Sequence, residues 1–432
     1  MISRRRFVSS VGLPTAAAVA GLPVAPRLGL AANHLPAPRS GSARAIARDE
    51  DFWADVAQAF TVDRSLVNLN NGGVSPSPAY VQEAMKRHLD YSNEAPAYTM
   101  WRILEPQREA VRQRMAREWD CDPEEIALTR NASEGLQICQ LGFDLKPGDE
   151  VLTTTQDYGR MITTFQQRER REGIVLKQFK IPVPAEDPAE VVRRFEEAIT
   201  PRTKLILVCH MINLTGQILP VREVTALGRS RGIPVIVDGA HALAHFDFTL
   251  GELDVDYYAT SLHKWLFAPH GTGLLYVRRD RIGGLWPMQA AAESMSDNIR
   301  KFEEIGTHPA ANYLAIGEAL TFHQAIGGKR KTERLVYLRD TWANQLLEDD
   351  RVRLHTSLKP GFACGIANVQ IDGLDSGALG SWLWKNHRII VTPIGHEECP
   401  GLRVSPSVYT TLEELGRFVD AMRYAMRYGI DS

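Results

Sequence analysis

The chain lacks several features that would settle its role at once. It has five cysteines in 432 residues, and none forms a CxxC pair. An odd, scattered set of thiols implies neither a disulfide framework nor a structural metal site. No GxGxxG joins a strand to a helix, so a nicotinamide dinucleotide has no fingerprint, and Gly271-Thr272-Gly273 alone does not supply one. Charge of neither sign is in excess: 50 Lys and Arg stand against 52 Asp and Glu. That balance gives no electrostatic case for nucleic acid or an anionic membrane. No apolar run reaches the ~20 residues of a membrane span. Internal repeats, heptads and long low-complexity tracts are also missing.

What is present is ordinary globular composition, 44% hydrophobic and 24% charged, at a length that fits two or three domains. The N-terminus reads apart from the rest. Arg4-Arg5-Arg6-Phe7 precedes a mild apolar stretch from Val11 to Val24, and Ala31-Ala32 offers a cleavage point. A basic start, an apolar middle and small residues make an export signal. The arginine pair followed by Phe resembles a twin-arginine signal. Residues 1–32 are therefore expected to be a signal peptide read by the twin-arginine translocase, with the mature protein periplasmic and without a stable membrane anchor. Residues 33–65 read as a linker or arm with a short helix at Asp51–Phe60.

From Leu66 onward strands and helices alternate. Leu205-Ile206-Leu207-Val208 and Val235-Ile236-Val237 are continuously apolar. Such runs fit strands buried on both faces, hence a mostly parallel sheet covered by helices. The alternation predicts an α/β domain over 66–310. After Thr307 the pattern changes to one long helical stretch, Asn312 to about Leu347, then short strands and a last helix, Leu412–Tyr428. This predicts a smaller α+β domain over 311–432.

In open α/β sheets ligands sit beyond the carboxyl ends of the strands. Asp238 ends one apolar run there, and Asn213 follows another in His210-Met-Ile-Asn-Leu-Thr-Gly216. Thr129-Arg-Asn-Ala-Ser-Glu-Gly135 leads from a strand into a helix. Its plain reading is Ser133 as a helix cap. Its functional reading is an anion cradle of free N–H groups and a hydroxyl. Ser261-Leu262-His263-Lys264 brings a hydroxyl, an imidazole and an amine together ahead of apolar Trp265-Leu266-Phe267. Desolvation there would lower the lysine's proton affinity and free its amine for a Schiff base.

Taken in order, the phosphate-type loop, the Asn after a strand, the strand-Asp-x-x-His and the Ser-x-His-Lys before Gly-Thr-Gly resemble the class V aminotransferase family, fold type I enzymes dependent on pyridoxal 5'-phosphate, and within it the isopenicillin N epimerase-like branch. The resemblance spans roughly Leu66 to Tyr428. It implies that Lys264 holds the cofactor and moves the substrate's Cα proton, that Asp238 pairs with the pyridine nitrogen, and that His241 and Asn213 lie near the ring's phenolic edge. It places Tyr158 over the ring face. Ala132 (through its backbone), Ser133, Ser261 and His263 would take the phosphate, and Thr307 would reach the phosphate of a second subunit, making a homodimer with shared sites. Arg403, in Leu402-Arg403-Val404-Ser405, would clamp an α-carboxylate. Asn71-Gly72 and Trp101-Arg102 would line the substrate side. No metal is implied. Cys399 lies only four residues before Arg403. The long cysteine-bearing lid of the family's desulfurases is missing, so Cys399 reads as an incidental loop residue. The expected substrate is a small molecule of amino-acid type: an amino acid or an amino-acid unit of a larger metabolite, such as a peptide siderophore. Aminotransferase-like chemistry leads, with epimerase or C–S lyase chemistry as the alternative. A non-catalytic chain on the same fold is argued against by intact Asp238, Lys264 and Arg403.

Overall fold

The apolar runs form the middle of a seven-stranded sheet. In the computed structural model, which describes residues 35–36 and 39–430, the strands are β1 (Val67–Asn68), β2 (Ile126–Thr129), β3 (Glu150–Thr154), β4 (Val175–Phe179), β5 (Thr203–Cys209), β6 (Val235–Asp238), β7 (Tyr257–Ser261), β8 (Gly273–Val277), β9 (Val352–Leu354), β10 (Ala367–Ile371), β11 (Ile389–Ile390), β12 (Thr392–Ile394) and β13 (Gly401–Val404). The expected signal peptide lies outside the described residues.

The large sheet has the order β2-β8-β7-β6-β5-β3-β4. All its pairings are parallel except those of β8, which runs against both β2 and β7. Successive side chains of a strand face opposite ways, and both faces are covered. Ile206, Val208, Val235 and Val237 enter one hydrophobic core, and Leu205, Leu207 and Ile236 enter the other. Register sets Cys209 beside Asp238 and Asp238 beside Ala259, so the carboxyl ends of β5, β6 and β7 meet at one edge.

The small domain is a four-stranded antiparallel sheet, β12-β13-β10-β9, backed by helices Ser376–His387 and Leu412–Tyr428. Its limits differ from those expected. β1 pairs in parallel with β11, and Val67 and Leu69 are buried in the small domain's core, so the chain passes through this domain before it enters the large one. The expected helix from Asn312 is broken into Ala310–Leu314, Ile316–Ile326 and Gly328–Leu346. Gly327, at φ 88°, takes a turn that a side chain would oppose. The first two helices pack on the large domain's core. The third leaves that core at Leu335 and joins the small domain's at Leu338. The division therefore lies inside one helix rather than at residue 310. The expected linker is likewise partly folded: Ser42 caps a helix at Ala43–Ile46, and Phe52, Trp53 and Val56 of Glu50–Gln58 are buried in the large core.

A short strap before β13 ties the two domains together. His396 Nε2 lies 3.0 Å from the Thr155 carbonyl. The Glu398 carboxylate accepts from Thr155 Oγ1 at 2.6 Å and from Gln156 Nε2 at 3.0 Å.

Candidate active site

A cavity of about 420 Å³ opens where the carboxyl ends of β5, β6 and β7 face the small domain. Lys264 enters it from the one-turn helix Leu262–Trp265 that directly follows β7. Its Nζ lies 3.0 Å from His241 Nε2. Burial lowers the Lys264 amine to about 8, with Asp238 pulling it up and Arg403 pushing it down. Burial raises Asp238 to about 6, against the opposing pull of the Ala240 N–H, at 2.9 Å, and of Lys264. Burial, then Lys264 and Arg403, keep His241 neutral, far below the usual imidazole range. His241 Nδ1 and Asn213 Oδ1 are buried without a partner in the described structure. Burying unpaired polar atoms costs free energy, so these two point to a ligand.

The helix Ala132–Gly142 starts at the cavity wall. Its cap is Asn131, whose Oδ1 accepts from Glu134 N at 2.9 Å, which sets aside the plain reading of Ser133 as the cap. Ala132 N donates to Ser261 Oγ at 3.0 Å, which ties the end of β7 to the helix start. Relieved of capping, Ser133 lines the cavity, and no bond in the described residues uses its N–H or hydroxyl. His263 turns Nδ1 to the Thr272 carbonyl at 3.0 Å, so that nitrogen carries the proton and Nε2 is left free. Burial lowers this imidazole to about 4.

Arg403 faces this wall from β13. Its guanidinium donates to the Asn213 carbonyl at 3.1 Å, to Asn70 Oδ1 at 2.8 Å and to Thr392 Oγ1 at 3.2 Å, while its Nε is buried with no partner. The Nε–H and one Nη1 hydrogen remain uncommitted, and with the fixed positive charge they suit a carboxylate. Tyr158 lines the same cavity and stays 36% exposed.

Asn71 and Trp101 lie away from the place expected of them, while the role expected of Thr307 concerns a second subunit and not this cavity. Asn71 is fully buried below the cavity, donating to the Asn68 and Ser405 carbonyls and accepting from Tyr409 Oη. Gly72, expected there with it, does line the cavity beside Gly73, and Asn70 holds Arg403. Thr307 and Trp101 are absent from the cavity and line a separate surface concavity of about 400 Å³. Asn70 and Thr392 were missed because neither stands in a motif; only the Asn70-Asn71 pair after a strand signalled that an amide would sit there.

The chain as a whole is similar to known proteins. The family model "Aminotransferase class-V" fits residues 67–418. The chain belongs to the class V aminotransferase family. It is 30% identical over 388 residues to isopenicillin N epimerase of Streptomyces clavuligerus, covering 86% of this chain and 97% of that protein. It is 25% identical to a probable cysteine desulfurase of Synechocystis, covering 85% and 92%. A cysteine desulfurase structure from Thermococcus onnurineus superposes with a TM-score of 0.75 at 22% identity, covering 86% and 98%. The fold is therefore fold type I, and the enzyme's cofactor is pyridoxal 5'-phosphate.

The enzyme's residues fit that group. Lys264 offers an amine of lowered basicity, Asp238 a carboxylate for the ring nitrogen, and His241 and Asn213 unpaired polar atoms. Ser133 and Ser261 offer hydroxyl donors for the phosphate beside a helix N-terminus, with the neutral His263 ring lining the same wall. When bound, the cofactor supplies an electron sink for negative charge at Cα. One pH dependence follows. The Lys264 amine is protonated, and so unreactive, below its value of about 8. Stripped enzyme mixed with pyridoxal 5'-phosphate is thus expected to form its covalent adduct faster as pH rises, with a midpoint near 8, measurable by absorbance. A rate flat from pH 6 to 9 would contradict the lowered amine.

Proposed function

We propose that the enzyme moves protons at Cα of an amino acid, or of an amino-acid unit of a larger metabolite such as a peptide siderophore, whose carboxylate Arg403 holds. The observation that carries this reading is the unpaired, buried Nε of Arg403 in the same cavity as the Lys264 amine. Lys264 would take the Cα proton. Delivery of a proton to Cα on the opposite face, by a donor standing on that face, inverts the centre. Delivery elsewhere gives transamination, which needs a 2-oxo acid as second substrate. Aminotransferase-type chemistry is the family's broad label. Epimerisation is the second reading, favoured by the 30% identity to isopenicillin N epimerases.

Thiol-based sulfur transfer has less support. Cys399 is fully buried, its thiol raised to about 12 by burial and Glu398, and it does not line the cavity. Cys399→Ala is expected to keep kcat within about twofold, because a buried thiol acts chiefly as a small apolar group; a loss of sulfide-producing turnover in this variant would reverse the assignment.

The deciding experiment incubates the enzyme with amino acids and peptide-bound amino acids in D2O. Deuterium at Cα, with inverted product or 2-oxo acid identified by mass and chiral chromatography, is the expected result. Adduct formation at Lys264 without Cα exchange on any substrate would refute it.

Two further parts of the proposal concern assembly and location. The concavity holding Gly306-Thr307 and the 51% exposed Trp101 would face a second copy of the chain, which a sedimentation measurement tests. Residues 1–32 would direct export. A reporter fused behind Asn33 should leave the cytoplasm only with Arg4 and Arg5 intact.

A further inference from the structure

Behind Lys264 lies a layer of residues that the reaction does not touch. Trp265, the next residue, is fully buried. Its indole stacks on the His245 imidazole, with ring centroids 3.6 Å apart and planes 12° from parallel. Its carbonyl accepts from the amine of Lys331, itself fully buried on the helix Gly328–Leu346. That amine stands 4.1 Å from the centroid of the Phe267 ring. Phe267 has φ 63°, a left-handed backbone that a bulky residue adopts only when its surroundings hold it there.

His245 has both nitrogens engaged. Gly365 N donates to Nε2 at 3.0 Å, so the proton sits on Nδ1, which donates to the His241 carbonyl at 2.8 Å. A side chain on Gly365 would begin 3.1 Å from that imidazole, so glycine permits the approach. One neutral ring therefore touches the segment bearing His241, the residue after Lys264, and the loop that leads into β10.

Lys331 is the stranger member. No carboxylate pairs with it among the described ion pairs, and its hydrogen bond goes to the Trp265 carbonyl. Burial holds its amine well below the ordinary lysine range. An apolar side chain would fill the space at lower cost in desolvation. A polar atom kept at that carbonyl has a directional task.

We propose that Lys331 and His245 are positioning residues that grip Trp265 by its carbonyl and its ring, fix the strained turn through Phe267, and so aim the Lys264 amine into the cavity. The proposal rests on Lys264 as the residue that bears the cofactor, and it is independent of which reaction follows.

The test is reloading. Enzyme stripped of cofactor is mixed with pyridoxal 5'-phosphate, the rate of adduct formation is followed by absorbance, and borohydride reduction with peptide mapping locates the adduct. For Lys331→Met the rate at Lys264 is expected to fall between about ten- and a hundredfold, the scale for loss of alignment, while the melting temperature holds or rises. A merely structural lysine would shift melting and leave the loading rate alone. A rate within twofold of wild type overturns the proposal whatever the melting point. If Lys331→Met does not fold, His245→Gln, which removes the stacked ring, is measured in the same way with the same two outcomes. Wild-type enzyme that forms no adduct at Lys264 would sink the cofactor assignment and this proposal with it. An adduct that forms equally fast in the variants sinks this proposal alone.

Discussion

Lys264→Ala is expected to lower turnover by about 10⁴-fold or more, because it removes both the covalent tether and the base in one change. The effect should be chemical rather than structural. Lys264 is partly buried, and its recorded side-chain partner is His241 Nε2 at 3.0 Å. Loss of that contact should cost about 1 kcal/mol of stability. The variant should fold, bind the cofactor through the remaining contacts, and yield no borohydride-fixed adduct. Small primary amines added to the medium should restore part of the rate, since the cavity left by the side chain opens on the same face. Retention of a tenth or more of the wild-type kcat would place the working base elsewhere.

Arg403→Met is expected to raise KM for amino-acid substrates by about a hundredfold with kcat little changed, the pattern for a contact made equally before and during reaction. Arg403→Lys should cost about tenfold, since an ammonium retains charge but loses the two-nitrogen grip. The guanidinium is preorganised: Asn70, Thr392 and the Asn213 carbonyl already fix it, and burial lowers it only to about 10, so it stays charged at neutral pH. Amino-acid amides supply the control. They should be poor substrates for wild type and no worse for Arg403→Met. Equal losses on acids and amides would mean that Arg403 holds the cavity wall instead of the substrate.

The parts of this site legible in the sequence were those that strand ends position. Asp238 terminates an apolar run, Lys264 follows a Ser-x-His, and Arg403 sits in a short strand; each carries its address in adjacent residues. What escaped depends on contacts distant in sequence. Asn70 and Asn71 are the same residue type, and their roles are divided by Ser405, which takes the Asn71 amide and leaves Asn70 to Arg403. Tyr257–Ser261 mixes aromatic and hydroxyl residues and shows no apolar run, although it is the strand that delivers Lys264. Helical periodicity continues across Gly327 and so concealed the break, for which Gly327-Gly328 was the available signal. His245 and Lys331 belong to no motif, because their task is set by packing alone.

The strap at His396–Glu398 has a consequence for how ligands are judged by size. It fastens the approach to Arg403 onto Thr155 and Gln156, one turn ahead of Tyr158. The proposed carboxylate anchor and the proposed aromatic cover are therefore tied to one another. A ligand bulky enough to displace the strap would disturb both at once, and its loss of binding is expected to exceed what poor fit at either place alone would give.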